Sequence, residues 1–335
     1  MKKQQKPGAP PSAPAQQQAD PAKKLVIGYY ENPWPGTPAT SGSFPALQNY
    51  HEEMTGIAPY WYTVQGDGSV TSKESQQVID FAKGKQLKMY ALITNKPDES
   101  DAILKNPQIR SIAVANLLKL VQEKPIDGIN IDFELLDPSH KDGLNAFMAE
   151  LYPQFKKLNK TVFVSVFPKV DVATDVTAAY DYPFLAKNSD YIQVMTYDQH
   201  WATATPGPVA ALGWVEKNIQ AAVEQAGDPK KVMVGIPAYG YDWPDKNRTE
   251  AETVTYTQAK DRAQKKGAEI MWDDGAKVPH FKYDTHEVWF ENAESSKWKL
   301  ELVKKYNVAG IAIWRLGQED PALWNVIADM VKLVK

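Results

Sequence analysis

Short runs of β-branched and aromatic residues alternate along the chain with longer stretches whose apolar positions recur three and four residues apart. The short runs fall at residues 25–30, 56–63, 87–94, 128–133, 161–167, 191–197, 232–237 and 310–314, and the helix-period stretches at 72–85, 108–123, 141–158, 211–225 and 296–306. Strands that alternate with amphipathic helices predict a parallel sheet with helical crossovers. Eight of them predict an α/β fold closed into a (β/α)8 TIM barrel.

Three segments break the rhythm. Residues 32–43 are rich in Pro and Gly and predict a loop at the rim after the first strand. Residues 198–208 predict a polar and aromatic loop after the sixth strand. The longest interruption, about 241–293, lies between strands seven and eight and contains a helix-like stretch at 256–266 and strand-like pieces at 269–272, 280–283 and 287–290. It predicts a small α+β insertion. Loops at the C-terminal ends of barrel strands are where such folds hold substrate.

The most informative run is residues 127–134, DGINIDFE. Period two places Asn130, Asp132 and Glu134 on one face of the fourth strand and Ile129, Ile131 and Phe133 on the other. The apolar face suits burial under helices, which leaves two carboxyl groups and an amide to point inward. A pair of carboxyls at a strand's end is what glycoside hydrolysis needs: one protonates the leaving oxygen and the other manages positive charge on the sugar. Asp127 is offset from that face and precedes Gly, so it reads as structural support.

These residues resemble the signature of glycoside hydrolase family 18, which runs Asp, two residues, Asp, one residue, Asp, one residue, Glu; Asn130 stands where the signature has its second Asp. The NIDFE form resembles the branch of spore-cortex and cell-wall N-acetylglucosaminidases. Further matches are GYY at 28–30, MTYD at 195–198, GIPAYGYDW at 235–243, HEVWF at 286–290 and WRLG at 314–317, so the resemblance runs from about Leu25 to the C-terminus. It implies a catalytic barrel over 25–335 whose insertion deepens the substrate groove.

The resemblance also implies roles. Glu134 is the expected general acid and base. Asp132 would hold the N–H of the substrate's 2-acetamido group and balance charge while the acetamide oxygen itself attacks the anomeric carbon, with retention. Tyr197 would orient that oxygen by a hydrogen bond. Asn130 can hydrogen-bond behind Asp132 but cannot carry charge, which alters the electrostatics of Asp132. Asp198 beside Tyr197, Trp314 as an aromatic floor, Tyr29 and Glu31 on strand one, Gln193 in strand six, and Tyr239, Asp242 and Trp243 after strand seven are expected to bind substrate. His200, His280 and His286 lack metal-ligand spacing, and no phosphate-binding glycine loop follows a strand, so neither metal nor cofactor is expected.

Composition adjusts this picture in four places. The 335 residues are 43% hydrophobic with 10 Trp and 16 Tyr, enough for one large core. A net charge of −3 with scattered Lys and Arg argues against nucleic acid and for an uncharged polymer as partner. The chain has no Cys, hence no disulfide framework and no thiol nucleophile. Residues 1–24 are rich in Pro, Gln, Ala and Lys and read as a disordered tether, which leaves a cytoplasmic protein with a flexible tail as one reading and favours the other, an extracellular, cell-surface or spore-associated enzyme whose signal segment is not in this sequence. No membrane helix is expected, and a monomer is.

The leading expectation is cleavage of β-1,4 bonds after N-acetylglucosamine in peptidoglycan or its fragments. Alternatives are a chitinase or chitooligosaccharide hydrolase and a non-catalytic carbohydrate-binding barrel. The last is disfavoured because Glu134, Asp132 and Tyr197 are all present.

Overall fold

A computed structural model describes residues 23–33, 35–36, 42–244 and 250–334. Eight parallel strands close into a barrel in chain order: β1 (Lys23–Tyr30), β2 (Gly56–Val64), β3 (Lys88–Thr94), β4 (Gly128–Asp132), β5 (Thr161–Val166), β6 (Tyr191–Val194), β7 (Val232–Pro237) and β8 (Gly310–Trp314). β1 pairs with both β2 and β8, which removes both sheet edges.

The period-two reading of β4 holds. Ile129, Ile131 and Phe133 are buried outside the barrel, where Phe133 meets Phe147 of helix Lys141–Lys157 at a centroid distance of 5.2 Å. That helix offers Leu144, Phe147, Met148, Leu151 and Phe155, spaced three and four apart, to the same layer. Inside the barrel Leu25, Ile27, Tyr29, Leu92, Phe163 and Met233 fill the lower interior. The site above therefore has a packed floor.

Several boundaries differ from the sequence expectation. β4 ends at Asp132 and β6 at Val194, short of the expected 133 and 197, because the chain leaves the ladder to turn over the mouth. Ser72, expected to begin a helix, instead ends a short strand, Val70–Ser72, that pairs antiparallel with β2, and the helix begins at Gln76. Short helices at Phe44–Tyr50, Ser100–Lys105 and Tyr182–Lys187 were not anticipated, nor was Leu323–Met330.

The expected tether lies outside the described residues up to position 22. Its last two residues belong to the barrel: Lys23 and Lys24 pair with Lys332 and Leu333, and the Lys24 ammonium donates to the Val308 carbonyl oxygen at 2.7 Å. Of the expected rim loop, residues 34 and 37–41 lie outside the described set.

The insertion between β7 and β8 is a five-stranded antiparallel sheet in the order Glu252–Thr255, Tyr239–Trp243, His286–Phe290, Val278–Tyr283, Met271–Asp273. It starts at Tyr239 rather than 241, and the first two of those strands were not anticipated. Helix Tyr256–Lys266 covers one face; Thr255 and Gln258 cap its start reciprocally and Gly267 ends it in the left-handed region. Among the described residues no helix is long and apolar enough to cross a membrane.

Candidate active site

At the C-terminal mouth of the barrel a cavity of about 150 Å³ is lined by Tyr29, Asp132, Glu134, Phe167, Met195, Tyr197, Asp198 and Trp314. Its residues come from the ends of five strands, β1, β4, β5, β6 and β8. Six of the residues expected in the site are brought together here: Tyr29, Asp132, Glu134, Tyr197, Asp198 and Trp314.

Glu134 stands just past the end of β4, where its backbone is tied down. The Asn95 side chain accepts a hydrogen bond from the Glu134 N–H at 2.8 Å and donates to its carbonyl oxygen at 3.0 Å, and the Tyr180 hydroxyl donates to the Phe133 carbonyl oxygen at 2.8 Å. Leu135 follows in the left-handed region with φ of 53° and turns the chain outward. The backbone that carries the carboxyl is thus fixed on both sides.

Asp132 is buried and hydrogen-bonded to Glu134, with the Ser165 side chain beside it. Ser165 in turn donates to Asn130 Oδ1 at 3.1 Å, Asn130 Nδ2 donates to the Tyr29 hydroxyl at 2.8 Å, and that hydroxyl donates to Gln193 Oε1 at 2.8 Å. This chain satisfies every buried polar side chain behind the carboxyls without adding charge. Asn130 and Gln193 therefore stand one layer below the cavity, against its floor, rather than in it.

Burial sets the electrostatics. It pushes Asp132 up to about 6, against the opposing pull of the neighbouring Ser165 and Glu134 side chains. Glu134 is driven well above the ordinary glutamate range, first by burial and then by the neighbouring charges of Asp132 and Asp198. Two carboxyls in hydrogen-bond contact titrate as a pair, and burial together with their mutual repulsion favours sharing one proton over ionising both. A protonated acid beside an ionised carboxylate can donate to a leaving group while stabilising a developing cation.

Tyr197 places its ring over Gly235, where a Cβ would lie 2.7 Å from the ring Cε1; the absence of a side chain there lets the ring sit against β7. Asp198 follows with φ of 59°, and its Oδ1 accepts from the Tyr241 hydroxyl at 2.9 Å and from the Tyr239 hydroxyl. Tyr239 is buried and serves the site by holding Asp198. Across the cavity the Trp314 ring meets Tyr29 edge-on, with centroids 5.2 Å apart and planes at 63°. Glu31 is ion-paired to Arg315 at 2.6 Å on the rim.

Asp242 and Trp243 are not brought to the cavity. Strand Tyr239–Trp243 alternates, so Asp242 points away from Tyr241 and is paired with Arg262, with His286 Nδ1 at 2.7 Å and with the Tyr283 hydroxyl. Trp243 is fully buried in the layer that joins the insertion to the barrel. Asp127 lies at the opposite end of the barrel, where it binds the Lys88 ammonium at 2.8 Å and the Met89 N–H at 3.0 Å, as a supporting residue should.

Sequence reasoning missed Asn95, Ser165, Tyr180, Phe167 and Met195. For Met195 a signal existed, since it heads the MTYD run two residues before Tyr197. The other four carry no local pattern that marks them.

The family profile Glycosyl hydrolases family 18 matches residues 18–319. The uncharacterized glycosylase YvbX of Bacillus subtilis is 28% identical over 326 residues, covering 93% of this chain and 92% of that protein. Among solved structures, the spore cortex-lytic enzyme SleL of Bacillus megaterium superposes with a TM-score of 0.85 at 26% identity, covering 95% of this chain and 76% of that one. A chitinase from Chromobacterium violaceum gives a TM-score of 0.82 at 29% identity, with 91% and 98% covered. With the profile spanning nearly the whole barrel and the insertion, the chain belongs to glycosyl hydrolase family 18.

Proposed function

We propose that this chain is a retaining glycosidase that cleaves the β-1,4 bond after N-acetylglucosamine in peptidoglycan or its fragments by substrate-assisted catalysis. The observation that carries the reading is the hydrogen-bonded Glu134–Asp132 pair in a cavity floored by Trp314. The sugar stacks on Trp314. Tyr197 hydrogen-bonds the acetamide oxygen and aims it at the anomeric carbon, while Asp132 accepts from the acetamide N–H. Glu134 gives its proton to the glycosidic oxygen as that C–O bond breaks and the acetamide oxygen bonds to the anomeric carbon, leaving an oxazolinium ion whose charge Asp132 offsets. The Glu134 carboxylate then takes a proton from water, which attacks the same carbon and reopens the ring with retention.

Kinship to a spore cortex-lytic enzyme supports peptidoglycan, and an extracellular or spore-associated setting, over chitin. The chitinase of similar fold supports chitooligosaccharides as the second reading.

The test is release of 4-methylumbelliferone from the β-glycosides of N-acetylglucosamine mono-, di- and trisaccharides, native protein against Glu134→Gln, followed by mass analysis of products from purified peptidoglycan. Loss of turnover by about 10²–10⁴-fold in the variant, with binding retained, is the expected result. Unchanged turnover overturns the mechanism. Binding to every glycan without turnover by native protein identifies a carbohydrate-binding barrel instead.

A further inference from the structure

Beside the sugar cavity a second hollow of about 60 Å³ opens at the barrel rim, lined by Glu31, Asn32, Pro33, Pro35, Tyr60 and Lys73. Tyr60 separates the two hollows: its ring meets Trp314 edge-on at a centroid distance of 6.5 Å. On the far side the Lys73 ammonium stands 5.5 Å from the centroid of the same ring.

The Lys73 backbone is fixed on both sides, its N–H donating to the Trp61 carbonyl oxygen at 2.8 Å and its carbonyl oxygen accepting from Asn32 Nδ2 at 2.8 Å. Neither carboxylate in the neighbourhood is available to it: Glu31 is paired with Arg315 at 2.6 Å and Glu74 with Lys124 at 2.7 Å. Among the described residues Lys73 has no carboxylate within ion-pair distance. The outcome is an exposed cation with no counter-charge among the described residues, beside an aromatic ring at the edge of a sugar site.

Because the Tyr60 and Trp314 rings meet edge-on, a glycan whose reacting sugar lies on Trp314 has Tyr60 as the adjoining aromatic surface for its neighbour. We infer that Lys73 is a specificity-determining residue that favours glycans whose neighbouring sugar carries a carboxylate. This rests on the proposed reading of the site and deepens it. Chitin offers no carboxylate there. In peptidoglycan the lactyl ether does, either as its own free carboxylate or through the carboxylate of a peptide attached to it.

The experiment measures affinity by calorimetry in the Glu134→Gln background, where turnover cannot interfere, with and without Lys73→Met. Four tetrasaccharides are compared: one with free lactyl carboxylates, one with a short stem peptide ending in a carboxylate, one with the lactyl groups as methyl amides, and chitotetraose. An exposed ion pair supports a loss of up to about fivefold. The expected result is a loss of about three- to fivefold on removing Lys73, for one or both carboxylate-bearing glycans, fading at high salt, with the methyl amide and chitotetraose changed less than twofold. Which carboxylate glycan responds identifies the source of the charge. Equal losses on all four glycans, or no loss on any, overturn the inference. Failure of the proposed activity would show separately, as absent turnover in the native protein, while these affinities would still report on Lys73.

Discussion

Asn95 grips Glu134 by both ends of one residue's backbone, accepting from its N–H at 2.8 Å and donating to its carbonyl oxygen at 3.0 Å. Asn95 lies just past β3 and is itself held, Nδ2 also donating to the Ser100 hydroxyl at 2.7 Å. A carboxyl whose backbone can drift loses alignment rather than affinity. Asn95→Ala is therefore expected to lower kcat about tenfold or more while KM stays within about twofold, read from steady-state kinetics on the fluorogenic disaccharide. A KM effect equal to the kcat effect would assign Asn95 to binding instead.

The raised carboxyls make a linked prediction about stability. A carboxyl whose folded pKa lies above its unfolded value binds more protons folded than unfolded in the window between the two, so stability falls as pH rises through it. Glu134 is raised by burial and by Asp132, hence burying it costs stability at neutral pH, where the unfolded chain would leave it ionised in water. Glu134→Gln removes that cost. Its Tm is expected to exceed that of the native protein by ~2 °C at pH 7.5 and to converge with it near pH 4. A Tm difference independent of pH would contradict the electrostatic account.

Asn130 supplies two neutral hydrogen bonds behind Asp132, to Ser165 and to Tyr29. Putting a carboxyl there adds a like charge two residues from Asp132 and disfavours its ionisation. With Asp132 already pushed up to about 6, the acid limb of the pH–rate profile should move toward neutrality by about one unit in Asn130→Asp. A limb that stays in place would show that Asp132 does not set it.

Asp242 faces away from the cavity and anchors Arg262, Tyr283 and His286 within the insertion. Removing a buried partner from such a cluster strands the others. Asp242→Ala should cost about 2–3 kcal/mol in urea unfolding and leave KM within about twofold. A large KM increase without loss of stability would return Asp242 to the binding site.

The barrel was legible because each strand carries its own short-range signal, and the alternation of DGINIDFE already divides the Ile129, Ile131 and Phe133 face from the Asn130, Asp132 and Glu134 face. The same rule, applied to Tyr239–Trp243, would have separated Asp242 from Tyr239 and Tyr241; grouping them by proximity in sequence was the error. Asn95, Ser165 and Tyr180 were beyond local reading. Their roles depend on which strand end closes against which, and a lone polar residue at a loop carries no trace of the partner that the barrel brings to it. Nor could β6 be read to its end, since Met195, Thr196 and Tyr197 keep strand-like composition after the ladder has stopped.

The hydroxyls of Tyr239 and Tyr241 reach from the insertion to Asp198, and the Ala251 N–H donates to the Ala202 carbonyl oxygen in the loop after β6. The insertion and the catalytic loop are thereby stitched into a single unit. The insertion is consequently not a removable module: excising it to widen the cleft would also release the wall of the sugar site. An engineer seeking new substrates would do better to vary its outer strands, Met271–Asp273 and Val278–Tyr283, and leave the stitched edge alone.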